Sequence, residues 1–270
     1  SSFSQSVSVT SFSLGPSDII GYQVNIIVSG RIVSTQPGVS YLNILAIRED
    51  DPASQTSTST IPIDSPVGTN TVTYNAHLNN LDPGRSYTIW LNVRRTNPSS
   101  TERVFITTYQ VPKLSQNLAV TTPANFAYGS SHTLVATSTR PNMTDFQYSV
   151  ISGPCDIAGD RITAIGLGSC RILVHQPGSV SIEAQSIEVP LSIVAARLLI
   201  TAEDKVMTYG QAVPRLTWTS SGWVLNDSDA DLLGLPTMQT SASRFAAPGT
   251  YPIVASDARV PITYQAEYRS

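Results

Sequence analysis

Ile200-Thr-Ala-Glu-Asp-Lys-Val-Met-Thr-Tyr209-Gly210 is followed by Pro214-Arg-Leu216-Thr-Trp218, a lone Gly222, and then Pro248-Gly249-Thr250-Tyr251-Pro252-Ile253. Each piece is short and rich in Thr, Val, Ile or aromatic residues, and each is bounded by Gly or Pro. That is the grammar of strands and turns. The stretch reads as a strand ending in Tyr-Gly, a Pro-initiated strand, a Gly-marked loop and a returning strand.

The rest of the chain has the same character. Its 270 residues are 41% hydrophobic with a net charge of −3, whereas a disordered chain would be poor in apolar residues and highly charged. Only 13% of residues are charged, against about 25% in ordinary globular proteins, and Ser and Thr fill the gap. The length suits two or three domains of roughly 100 residues each. Arg is spread singly apart from Arg94-Arg95, and Lys113 and Lys205 are the two lysines, so no basic stripe is present to replace phosphate counterions. Nucleic acid is therefore not an expected partner. No run approaches about 18 apolar residues, so membrane insertion is not expected either. With neither an initiating Met nor a signal peptide, the sequence reads as a mature or excised piece of something larger.

Breaks near Val111–Leu114 and Ala195–Arg197 predict three segments, 1–112, 113–196 and 197–270. In the first, strands are expected at Ser6–Leu14, Gly21–Ser29, Tyr41–Ile47, Thr71–Leu78, Tyr87–Arg95 and Arg103–Val111. Alternation puts Tyr22, Val24, Ile26 and Val28 on one face, and Val72, Tyr74, Ala76 and Leu78 inward. The run Ser6-Val-Ser-Val-Thr, if unpaired in its own domain, would be free to complete a neighbour's sheet. In the middle segment Gly159-Asp160 predicts a hairpin turn between Cys155–Ala158 and Arg161–Ile165. Phe126-Ala-Tyr128-Gly129 echoes Val206-Met-Thr-Tyr209-Gly210. In the last, Ser228 is an N-cap candidate for one short helical turn before Gly234. The fold class is all-β.

The landmarks quoted first, in their order and spacing from about Arg197 to Tyr268, resemble the "mostly beta, glycine-rich" (MBG) domains of bacterial surface proteins. Leu81-Asp-Pro83-Gly84-Arg-Ser-Tyr87 resembles the tyrosine corner of fibronectin type III and related sandwiches. That resemblance implies a Tyr87 hydroxyl returning to the upstream backbone to pin the inter-sheet crossover. Residues 147–172, with Cys155 and Cys170, resemble bacterial Ig-like repeats, though Gln176-Pro-Gly-Ser-Val180 is a shortened end. The expected architecture is three tandem domains, two Ig/fibronectin-III-like sandwiches followed by a mostly-β domain with at most a short helical turn.

Candidate chemistry is sparse. Cys155 and Cys170 suit a buried thiol pair, half a metal site or a disulfide; the Ser/Thr-rich, Lys-poor setting favours the disulfide. His77, His132 and His175 read as surface or rim residues with no acid or nucleophile at motif spacing, so catalysis is not expected. Trp218 and Trp223 read as core. Trp90 falls on the outward face of its strand with Thr88, Asn92 and Arg94, because Tyr87, Ile89, Leu91 and Val93 take the inward face. An outward Trp is either covered by a loop or neighbouring domain or part of a ligand patch. Asn226-Asp227-Ser-Asp229-Ala-Asp231 has the alternate-acid spacing of a Ca²⁺ loop, but Leu232 stands where Gly is needed and no Glu follows at position twelve. A turn and helix cap is the better reading, with Leu232 and Leu233 turning inward; Glu49-Asp50-Asp51 is weaker still. No metal or other cofactor is expected.

Together the resemblances imply an extracellular or cell-surface segment, a stalk or binding module of a bacterial surface protein. Its partners would be other domains of a longer chain, neighbouring subunits, or a glycan or host-surface ligand. A component of a phage virion, filament or surface layer, or a carbohydrate-binding accessory region of a secreted enzyme, are the alternatives.

Overall fold

The computed structural model describes residues 7–20, 23–34, 39–58, 61–62, 70–96 and 99–270. The predicted faces of Tyr22, Val24, Ile26 and Val28, and of Val72, Tyr74 and Ala76, lie outside the described side chains, as does Ser6. The chain forms two compact units: Ser1–Gln116 with Pro177–Ala184, and Asn117–Gln176 with Gln185–Ser270. The described residues are all-β but for one 3₁₀ turn.

The first unit contains β1 (Val7–Ile20), β2 (Gln23–Ser34), β3 (Val39–Arg48), β4 (Gln55–Ser57), β5 (Ile61–Pro62), β6 (Asn70–Leu81), β7 (Ser86–Thr96) and β8 (Ser99–Gln110). One sheet has the order β1-β2-β6; the other runs β4-β3-β7-β8, with β5 also paired to β3. Strict period-two alternation places Leu42, Ile44, Ala46, Leu78, Ile89, Leu91 and Val93 in a single core. The N-terminal run is not free: β1 pairs antiparallel with β2 from Val7↔Ser34 to Ile20↔Gln23, so its backbone groups on that side are already taken within its own domain.

Val111 and Leu114 belong to that same core, at 0% and 1% exposure. The segment Pro177–Ala184 returns to pair with Leu114. Leu114 bridges in parallel to Ile182, its N–H donates to the Ser181 carbonyl at 2.8 Å, and Glu183 N–H donates back to the Leu114 carbonyl at 2.9 Å. The Gln116 side chain donates to the Glu183 carbonyl at 2.7 Å. The loop holds its own shape through Ser179, whose hydroxyl accepts from Ser181 and Ile182 N–H groups.

The second unit begins with β9 (Leu118–Thr121), β10 (Phe126–Ala127), β11 (Ser131–Thr133) and β12 (Val135–Ser138). It continues with β13 (Gln147–Ser152), β14 (Cys155–Ala158), β15 (Arg161–Ala164), β16 (Gly168–Gln176) and β17 (Gln185–Val194). Then come β18 (Ala196–Ala202), β19 (Trp218–Ser221), β20 (Thr237–Thr240), β21 (Ile253–Ser256) and β22 (Tyr264–Arg269). Sheets β10-β17-β16-β13 and β11-β15-β14, with the pair β12-β9, surround one core that includes Phe126, Leu134, Ile162, Ile172 and Val174. The hairpin at Gly159-Asp160 forms as expected, Gly159 taking φ +64° and Ala158 pairing with Arg161. Sheets β19-β18-β22 and β20-β21 follow, with a small cluster of Ala196, Leu198 and Tyr264.

Candidate functional site

On β7, Tyr87, Ile89, Leu91 and Val93 are buried, while Thr88, Trp90 and Asn92 are half-buried and Arg94 is exposed. Register sets the neighbours of this outward face. Trp90 stands between Leu45 and Phe105, and Asn92 between Asn43 and Arg103. The Trp90 ring meets the Phe105 ring edge-on at 5.3 Å and its indole N–H donates to Thr88 Oγ1 at 2.9 Å. Arg103 Nε donates to Asn92 Oδ1 at 3.1 Å. Phe105 is 48% exposed and Leu45 only 7%. Sequence reasoning missed Phe105, although Val104 and Ile106 are buried on either side of it and period-two alternation turns it outward beside Trp90. Aromatic rings, an amide and guanidinium groups thus share one face.

At the base of that sheet, the Tyr87 hydroxyl accepts from Asp82 N–H at 3.0 Å and donates to Asp82 Oδ2 at 3.3 Å. Burial, foremost, holds this phenol's pKa above its ordinary value. Leu81 and Pro83 are buried, and Gly84 takes φ +75° so that its N–H reaches the Val111 carbonyl at 3.0 Å. Arg48 gathers Asp50 at 2.7 Å, Asp82 at 2.9 Å and Asp51 at 3.4 Å, and Arg85 takes Asp50 at 2.6 Å. Of the Glu49-Asp50-Asp51 acids, Asp50 and Asp51 are thereby drawn onto arginines.

Cys155 on β14 and Cys170 on β16 are joined, with Cα atoms 6.0 Å apart, so the bond ties two sheets across the core. The histidines stand on separate strands. His77 is exposed on β6, and His175 on β16 meets Ser186 Oγ at 2.8 Å through Nδ1. His132 is half-buried on β11, with its Nε2 shielded from solvent and without a hydrogen-bond partner. Among the described residues no three His, Cys, Asp or Glu side chains gather as a metal site.

The Asp227 loop is used for wiring. Asp227 Oδ2 accepts from the Tyr264 hydroxyl at 2.6 Å and from the Tyr128 hydroxyl at 3.1 Å. Asp229 Oδ1 accepts from the Trp223 indole at 2.9 Å and also from Ser220 Oγ. Asp231 closes a capping box with Ser228 at the start of the 3₁₀ turn Asp229–Asp231. The three carboxylates thus face different donors. The Tyr264 pKa is pushed up to about 12, first by burial and then by its hydrogen bond to Asp227. Tyr128 and Trp223 stack edge-on against Tyr264 at 5.5 and 4.8 Å. Two expectations need correction. Leu233 is 61% exposed, because both its N–H and that of Gly234 are held by the Arg259 carbonyl in a surface bridge. Trp218 is half-buried and outside the cluster of Ala196, Leu198 and Tyr264, whereas Trp223, also half-buried, packs against that cluster while its indole N–H reaches the exposed acid Asp229.

An open cleft of about 540 Å³ lies between the 202–216 and 240–253 segments, lined by Val206, Met207, Val213, Tyr251 and Pro252 among others. Asp204, Lys205, Thr240 and Thr250 also line it, and this mixed set carries no motif in the sequence.

Residues 198–270 match the family model of the MBG domain (YGX type). The match covers the last part of the chain, the stretch that carries Tyr209-Gly210. No curated protein matches. Among solved structures, the C-terminal 282-residue fragment of intimin, in complex with the translocated intimin receptor (Tir) intimin-binding domain, aligns at 12% identity. The alignment covers 76% of this chain and 69% of that one with a TM-score of 0.28, a likeness too slight to carry a structural argument. Among the described residues no helix is long and apolar enough to cross a membrane.

Proposed function

We propose that the chain is a non-catalytic structural or adhesive segment of a bacterial surface protein, working outside the cell as stalk or binding module. The MBG match over residues 198–270 carries this reading. Sheets β1-β2-β6 and β4-β3-β7-β8 with Tyr87 at their crossover support a fibronectin-type-III-like 1–112. Separate clusters around Ile162 and Leu198 support an Ig-like 113–196 and an MBG-like 197–270. A Cys155–Cys170 bond fits an oxidising compartment. Antibodies raised against this chain should label intact cells of the source organism, and external protease should remove the label. Antigen reached only after lysis refutes the proposal.

The exposed Phe105 beside Trp90 favours a second reading, in which the outward face of β7 binds glycan. Binding on a glycan array that disappears with Trp90→Ala is the expected result; an array on which the unaltered protein binds nothing removes this reading.

A further inference from the structure

Within the second unit one short element occurs twice. Tyr128-Gly129 and Tyr209-Gly210 stand 81 positions apart. Each closes the same turn: Ser130 N–H donates to the Ala127 carbonyl at 3.0 Å, and Gln211 N–H to the Thr208 carbonyl at 3.0 Å. Both glycines have positive φ, +75° and +87°. Both also donate to a later segment, Gly129 to the Ala164 carbonyl at 2.8 Å and Gly210 to the Arg244 carbonyl at 2.9 Å.

Their surroundings differ. The first copy is occupied by the module that follows it. The Tyr128 ring rests on Tyr264, its hydroxyl reaches Asp227, and a Cβ on Gly129 would stand 2.2 Å from Val224 Cγ2. At Gly210 a Cβ would meet nothing within 4 Å. Tyr209 is 68% exposed and packs on Phe245, itself 67% exposed, beside a cleft of about 240 Å³. The turn is held ready: Arg244 Nε donates to the Gly210 carbonyl at 2.6 Å while its guanidinium lies 5.6 Å above the Phe245 ring. Two large aromatic side chains exposed together on a pre-ordered turn have the character of a contact surface.

We propose that Tyr209-Gly210 is a docking element for a further β-module of the same kind as residues 197–270, received as Tyr128-Gly129 receives that one. The occupant presents a carboxylate in the role of Asp227 to the Tyr209 hydroxyl. It presents aromatic rings in the roles of Trp223 and Tyr264, and a branched aliphatic residue over the glycine in the role of Val224. At Gly129 a side chain would hold Val224 away, and the open space over Gly210 leaves the same room for the occupant's aliphatic residue.

The test extends the chain after Ser270 by a second copy of residues 191–270, which carries along the strand end and joint leading into the existing module. The added copy bears Tyr209→Ser and Phe245→Ser, so that its peptides differ in mass. Hydroxyl-radical footprinting then reads the original Tyr209 and Phe245. Their modification rates should fall several-fold on extension, to the level of Tyr128, and should recover when Asp227→Ala and Val224→Ser are placed in the added copy alone. Unchanged rates beside a folded added copy overturn the proposal. The unextended chain bearing Tyr209→Ser and Phe245→Ser is the folding control; where it folds, an added copy that fails to fold also overturns the proposal, because those residues then fold on the equivalent joint at Tyr128.

Discussion

Asp227→Ala removes one carboxylate and two tyrosine hydrogen bonds together, and its cost can be worked from the geometry. Hydrogen bonds to a charged acceptor contribute about 1.5–3 kcal/mol each when well buried. Asp227 is half-buried, so the lower end applies to the 2.6 Å bond from Tyr264 and less to the 3.1 Å bond from Tyr128. The Tyr264 hydroxyl keeps the Val224 N–H and carbonyl at 3.1 and 3.3 Å, so it is not orphaned. A loss of about 2 kcal/mol follows. Tyr128→Phe, which keeps the ring contact, should cost about 1 kcal/mol alone and nearly nothing once Asp227 is gone. Urea titration in a Trp90→Phe, Trp218→Phe background reports on the joint through Trp223, 4.8 Å from Tyr264. Strictly additive losses, or Asp227→Ala within about 0.5 kcal/mol of the parent, would refute the reasoning, since that is the range of an ordinary surface substitution.

Millimolar calcium should leave the melting temperature unchanged, because Asp227, Asp229 and Asp231 face different protein donors; a rise of several degrees abolished by Asp229→Ala would contradict this. Free-thiol titration of the unreduced, denatured protein should find no thiol, and replacing Cys155 and Cys170 by Ser should cost about 3 kcal/mol by chain entropy for a loop of this length. Gly84→Ala should cost about 3 kcal/mol, since a Cβ would stand 1.8 Å from the Val180 carbonyl oxygen at φ +75°; a neutral result in thermal melts would deny that contact. The raised Tyr264 pKa favours the neutral phenol in the folded state, so its stabilisation is complete below pH 10 and is lost as pH rises from 10 through about 12. Melting curves of the parent should therefore fall more steeply across that window than those of Tyr264→Phe.

The parts of the fold that could be read from sequence are those set by local period. On β7 the inward set Tyr87, Ile89, Leu91 and Val93 and the outward set around Trp90 follow from alternation alone. Turn chemistry likewise gave Gly159-Asp160 and the Ser228 cap. What escaped depends on partners distant in sequence. Leu114 stands at a composition break, and nothing local announces that Ile182 will pair with it. Leu233 looks like core until the Arg259 carbonyl holds it at the surface. The Tyr-Gly echo is visible in the sequence, but the carboxylate and valine that receive its first copy lie about a hundred residues onward.

The return of Pro177–Ala184 to the first unit has a consequence for the order in which the molecule can be made. A chain that emerges from its amino end presents Leu114 long before its pairing partner Ile182 exists. Residues 117–176 must come out first, and only then does Ile182 arrive to close the base of the first sandwich. Until that moment the Leu114 N–H and carbonyl lack the Ser181 and Glu183 backbone groups they bond, so completion of the leading unit waits on synthesis of residues 117–176.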